Sequence, residues 1–158
     1  MWVPDCHLQT GTRLRVATHL YLHTGPMTTA LLRVDRPFNW GIVILTDESS
    51  NDPINQIPTG SIPVVIDSTG ATIAVRHAQD VDDLDDEPVA VTVEVILRAA
   101  TQPPTLGGTI TIPTGALLVG DAEHFDVASL VPGDYRIAVL AVPAESAQHI
   151  TIWLSPRT

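Results

Sequence analysis

Val89-Ala90-Val91-Thr92-Val93-Glu94-Val95-Ile96-Leu97-Arg98 carries the clearest strand signal in the chain. Val89, Val91, Val93, Val95 and Leu97 alternate with Ala90, Thr92, Glu94, Ile96 and Arg98, the period of two that an extended chain shows when one face packs on a core. The rest of the chain is built from the same residue types. Val occurs 17 times, Thr 18 and Ile 13 in 158 residues, whereas Lys is absent and Met occurs twice. Side chains stiff at χ1 favour strands.

Leu14, Val16, Leu20 and Leu22 alternate with polar neighbours and predict a first strand, Ala30 to Asp35 a second. The run Ile42-Val43-Ile44-Leu45 has no polar side and predicts a strand covered on both faces. Asp47 to Gly60, rich in Ser, Asn, Asp and Pro, reads as a surface loop. Ile62 to Asp67 and Ala71 to Arg76 flank Ser68-Thr69-Gly70 as a hairpin. Thr109 to Ile112, Tyr135 to Val142 and His149 to Leu154 complete the set, while Gly115 to Phe125 shows no clean period. Eight or nine strands with Gly/Pro punctuation and no helix predict one all-β domain over residues 1–158, an antiparallel β-sandwich with Greek-key-type connections.

Eighteen acids against eight arginines give a net charge of -10, which repels nucleic acid and anionic lipid from the average surface. One cysteine, Cys6, excludes an internal disulfide framework and suits a reducing compartment. The first ten residues show neither a basic nor an apolar signal region, and no apolar run reaches 18 residues. The expected location is the cytoplasm, with no membrane and no direct nucleic-acid contact.

Asp80, Asp82, Asp83, Asp85, Asp86 and Glu87 crowd six carboxylates into eight residues. Their repulsion is relieved by water, by cations or by a basic partner. A calcium loop starting at Asp83 would place Asp85, Glu87 and Glu94 at ligand positions, but Pro88 stands where the sharp turn needs Gly, and a strand follows where a helix should. A solvated loop, or spaced carboxylates facing the phosphate-binding cleft of a basic protein, fits better.

No other pattern carries chemistry. His19 and His23 share a strand face but lie about 13 Å apart, too far to ligate one ion. Cys6-His7 lacks an orienting Asp or Asn motif, and nucleophile elbows, phosphate loops and metal-binding helices are absent. We expect no catalytic residues, no metal and no cofactor. Trp40 and Trp153 sit beside apolar strand residues and are expected in the core.

Leu130-Val131-Pro132-Gly133-Asp134-Tyr135 has the form of a tyrosine corner, in which a phenol ties back to upstream backbone as the chain enters a strand. Together with the strand after it and Val142-Pro143-Ala144-Glu145, a polar turn and a terminal strand, this segment resembles the competence protein J family, inhibitors of a DNA-entry nuclease. The resemblance covers about 30 residues, with Pro132, Gly133, Asp134, Tyr135, Pro143 and Glu145 as its motif positions. It implies a non-catalytic binding protein whose partner is a nuclease. An immunity protein neutralising a toxin nuclease uses the same electrostatics. Two other readings stand beside it: a structural or oligomeric module, since an open sandwich without lysine must manage its edges, and a ligand-binding sandwich using Trp2, Trp40 or Trp153.

Overall fold

The computed structural model describes residues 28–51, 58, 62–80, 87–98 and 107–157. They form ten strands: β1 (Thr28–Arg36), β2 (Ile42–Asp47), β3 (Val64–Asp67), β4 (Gly70–Ala74), β5 (Val91–Arg98), β6 (Gly107–Ile112), β7 (Ala116–Gly120), β8 (Phe125–Ser129), β9 (Gly133–Val142) and β10 (His149–Pro156). Two five-stranded sheets result, ordered β1-β5-β10-β9-β6 and β3-β4-β2-β7-β8. Pairing within them is antiparallel except between β5 and β10, which run parallel. The all-β sandwich expected from the sequence is thus found. The expected strand at Leu14 to Leu22 lies outside the described residues. β7 forms inside the Gly115 to Phe125 stretch that shows no clean period, and β8, from Phe125 to Ser129, is a further strand not expected from the sequence.

The alternation of β5 is realised as read: Val91, Val93 and Val95 are fully buried, and Thr92, Glu94, Ile96 and Arg98 face outward half-covered. Ile150, Ile152 and Leu154 of β10 and Tyr135, Ile137 and Val139 of β9 join them. Val43, Leu45, Ile73, Leu117 and Val119 meet them from the second sheet in one hydrophobic cluster. Each such side chain contributes about 1.5–3 kcal/mol on burial. All six residues of β2 are buried, so the run without a polar side is covered on both faces.

The two tryptophans depart from expectation. Trp40 is 57% exposed, on the turn between β1 and β2, where Phe38 at 0% exposure takes the core position instead. Trp153 falls on the outward parity of β10 and lies half-buried beneath Arg98, whose guanidinium carbon is 4.9 Å from the ring centre. Asp47, read as the start of a surface loop, ends β2 and is only 4% exposed.

Both seams between the sheets are stitched. On one, the Thr111 amide donates to the Ser68 carbonyl at 2.9 Å. On the other, Arg36 at the end of β1 reaches the β7–β8 turn. Its Nη2 donates to the His124 carbonyl at 2.7 Å, its Nη1 lies 3.5 Å from Asp121 and its Nε 3.8 Å from Asp126. Its guanidinium also stacks 4.3 Å over the Phe38 ring. Edge strands that lean on each other in this way are poorer templates for another chain.

Candidate functional site

Strand register brings one set of turns to one end of the sandwich. Arg36 pairs with Val91, His149 with Thr92 and Val142, Ile42 with Ala74, Ile44 with Gly120 and Gly120 with Phe125. The two sheets are joined there by a parallel bridge between Val75 and Ala147 and by the Arg76 amide donating to the Ala147 carbonyl at 3.0 Å. The turn that holds Pro143 and Glu145 therefore sits between the flanks of the acidic run: Arg76 is bonded to it, and on the far side the Thr92 amide donates to Gln148 at 2.8 Å.

Of the predicted contact residues, Asp80 and Glu87 are described, and both are exposed at this end. Asp82, Asp83, Asp85 and Asp86 lie outside the described residues. Asp80 closes a tight turn: its amide donates to the His77 carbonyl at 3.0 Å, and its carboxylate accepts from the His77 amide at 3.3 Å. The same end carries Asp35, Asp121, Glu123, Asp126 and Glu145 against Arg36 and Arg76. Arg36 is already committed to Asp121 and Asp126. Carboxylates thus dominate one end. Arg98, Arg136 and Arg157 lie toward the other, where β5 and β10 finish and β9 begins, and there Asp47, Glu48, Asp67 and Asp134 nearly balance them. Such a lopsided charge orients an approaching cationic surface.

Sequence reasoning missed Asp121, Glu123, Asp126 and Trp40 as members of this end. The acids were visible as Asp121-Ala122-Glu123-His124-Phe125-Asp126, but only the pairing of β2 with both β4 and β7 brings them beside the Arg76–Asp80 turn. Asp121 is 1% exposed and shapes its turn by accepting from the Glu123 and His124 amides at 3.2 and 3.0 Å.

The six motif positions of the C-terminal segment divide between the ends. Tyr135, buried at the start of β9, donates from Oη to the Val131 carbonyl at 2.5 Å, which makes the tyrosine corner. Burial pushes its phenol above the ordinary value, only partly offset by that bond. Asp134 accepts from the Thr111 hydroxyl at 2.8 Å, across β6 and β9, while Pro132 and Gly133 are exposed at the turn. These four lie away from the acidic end, and Pro143 and Glu145 lie within it.

A cavity of about 290 Å³ opens at the end opposite Asp80 and Glu123, lined by Asp47, Ser49, Ser50, Ser68, Thr69, Thr111 and Pro113. Its one buried carboxylate is fully used. Asp47 Oδ1 accepts from the Ser49 amide and hydroxyl at 2.9 and 2.6 Å, and Oδ2 from the Thr114 amide and hydroxyl at 3.1 and 2.7 Å. Burial alone would raise this carboxyl, but the four hydrogen bonds outweigh it and hold it below the ordinary value. Asp47 is a clamp between the end of β2 and the β6–β7 turn, with no acceptor left for a ligand. Among the described residues no group of three or more His, Cys, Asp or Glu side chains is placed to hold a metal ion.

No protein-family model and no curated protein matches the chain. Two solved structures share its fold. ComJ from Bacillus subtilis, an inhibitor of the DNA-degrading activity of NucA, superimposes with a TM-score of 0.54 at 7% identity over 83% of this chain and 99% of that one. The product of crocagin biosynthetic gene J superimposes with a TM-score of 0.50 at 13% identity over 85% of this chain and 99% of its own. The likeness suggested by the segment from Leu130 onward thus extends across most of the chain at the level of fold.

Proposed function

We propose that this chain is a non-catalytic inhibitor that binds the basic surface of a nuclease or a similar phosphate-handling enzyme, within the cytoplasm of its host. Asp80, Asp82, Asp83, Asp85, Asp86 and Glu87 are the proposed contacts. One observation carries the reading: carboxylates gather at the end of the sandwich where Asp80, Glu87, Glu123 and Glu145 all emerge. An enzyme that cleaves nucleic acid presents cations to phosphates, and a surface of this kind competes for them. The ComJ fold likeness is consistent with that role. The same fold under a biosynthetic gene is a reminder that architecture by itself does not assign one.

The test is direct. The tagged chain is used to isolate partners from its native host, and each is assayed for DNA cleavage with and without the chain over a salt titration. A nuclease whose cleavage is blocked, with affinity falling steeply as salt rises past about 0.1 M, is the expected result. Replacing the six acids by their amides is expected to slow association about tenfold or more. Failure to find an inhibited nuclease, or affinity indifferent to salt, defeats the reading; an unchanged on-rate removes this loop from the contact.

A further inference from the structure

We infer that Trp40 is the anchor of this end, seating in an apolar slot on the same basic protein. The inference rests on the inhibitory reading above and adds to it a residue that carries no charge.

Trp40 is 57% exposed, yet the turn that displays it is held from several sides. Phe38, two residues before it, is sealed in the core beneath Arg36. The Phe38 carbonyl accepts from the Gly41 amide at 3.2 Å and from the Ala78 amide at 3.1 Å, and the Gly41 carbonyl accepts from the Val75 amide at 2.9 Å. On the other flank the Asn39 side chain donates to Glu123 at 2.8 Å. Gly41 itself has φ of +63°, and a Cβ there would meet the His77 ring at 3.2 Å, so the backbone takes a path that other residues resist. A mobile loop could fold its indole inward; this one holds it out. Exposed hydrophobics scattered singly are ordinary, but a tryptophan on pinned backbone has the make-up of an interface hot spot, because little order remains to be lost when it docks.

Charge chooses the occupant. Glu123 and Asp80 stand on the two flanks of the turn, both exposed. A second copy of this chain docking through the same patch would set carboxylate against carboxylate. A protein with Arg or Lys around an apolar slot meets the indole and its rim together, and arginine also stacks on indole faces.

The experiment uses the chain with Trp2 and Trp153 changed to Phe, leaving Trp40 as its one indole, and the purified nuclease whose cleavage the chain blocks. On binding, Trp40 emission is expected to shift to the blue and its quenching by acrylamide to fall. Trp40→Ala is expected to weaken the complex about 30-fold, mostly through faster dissociation, with the on-rate within about twofold of the parent. Acid-to-amide changes should act on the on-rate instead. A complex that forms with unaltered Trp40 emission, or a Trp40→Ala chain binding within about threefold of the parent, overturns the anchor and leaves the inhibitory reading intact. Absence of any inhibited nuclease removes both. Acrylamide protection that arises in the concentrated chain alone, or with neutral glycans, overturns the anchor in favour of self-association or sugar binding. The emission readout keeps the native Trp40, so it does not depend on the alanine variant folding.

Discussion

The Asn39 side-chain amide donates to the Glu123 carboxylate at 2.8 Å, tying the turn that displays Trp40 to the β7–β8 turn of the other seam strand. Both partners are exposed, so Asn39→Ala should cost less than about 1 kcal/mol in stability. Its effect should appear in motion instead. With Trp40 as the single indole, fluorescence anisotropy decay is expected to gain a faster local component in Asn39→Ala. Glu123→Gln, which keeps an acceptor oxygen, should leave the decay unchanged. Identical decays in all three proteins would show that this bond does not hold the turn.

Asp47 makes stability depend on acid. Its folded carboxyl lies below the unfolded value of about 3.9, so its contribution is complete above that pH and is lost as pH falls through the lower folded value. Asp47→Asn confronts the Ser49 and Thr114 amides with a weaker acceptor and is expected to cost about 2–3 kcal/mol at neutral pH. Urea midpoints measured from pH 7 to pH 3 should therefore fall more steeply in the parent than in the variant. Parallel profiles would refute this role.

Tyr135→Phe removes the bond to the Val131 carbonyl while keeping the ring in the core, and should lower stability by about 1 kcal/mol. The sign reverses relative to Asp47 on the alkaline side. A phenol whose folded value is raised favours the neutral form, so its stabilisation is present below about pH 10 and declines as pH rises beyond it. Thermal denaturation between pH 8 and pH 11 should show a steeper alkaline loss in the parent than in Tyr135→Phe.

Gly120 ends β7 with its backbone against the next turn. A Cβ at this position would lie 2.0 Å from the His124 carbonyl oxygen, too close for any rotamer to relieve. Gly120→Ala should cost about 3 kcal/mol or more and displace the turn that carries Asp121 and Glu123. Calorimetry measures the first effect. Faster amide exchange at Glu123 and His124 than in the parent would report the second.

How much of this was legible in the sequence follows from what each residue's neighbours are. β5 was readable because its two faces meet different media, and β2 because both faces are buried. The Tyr135 corner was readable because its bond is local, four residues long. β7 was opaque. Leu117 and Val119 face the core and Leu118 does not, but the outward place is also held by an apolar residue, so the alternation is invisible in the sequence. β8 was hidden by Asp126, which turns toward Arg36, ninety residues earlier in the chain, and by Val127, which faces solvent. Trp40 and Trp153 were misread because adjacency to apolar strands does not fix parity: Phe38 and Leu154 hold the inward places. The acidic run was plain, but its companions Glu123 and Glu145 join it only through long-range register.

β10 is the last of the ten strands, yet it occupies the middle of its sheet, parallel to β5 on one side and antiparallel to β9 on the other. Until it arrives, the β1–β5 ribbon and the β6–β9 ribbon share no backbone hydrogen bonds, and neither has a finished hydrophobic face to pack. The sheet therefore stays as two unjoined ribbons until residues 149–156 have been made. Parallel closure across so many intervening residues is slow by nature, so the nascent protein spends its most aggregation-prone interval waiting for Ile150, Ile152 and Leu154 to emerge.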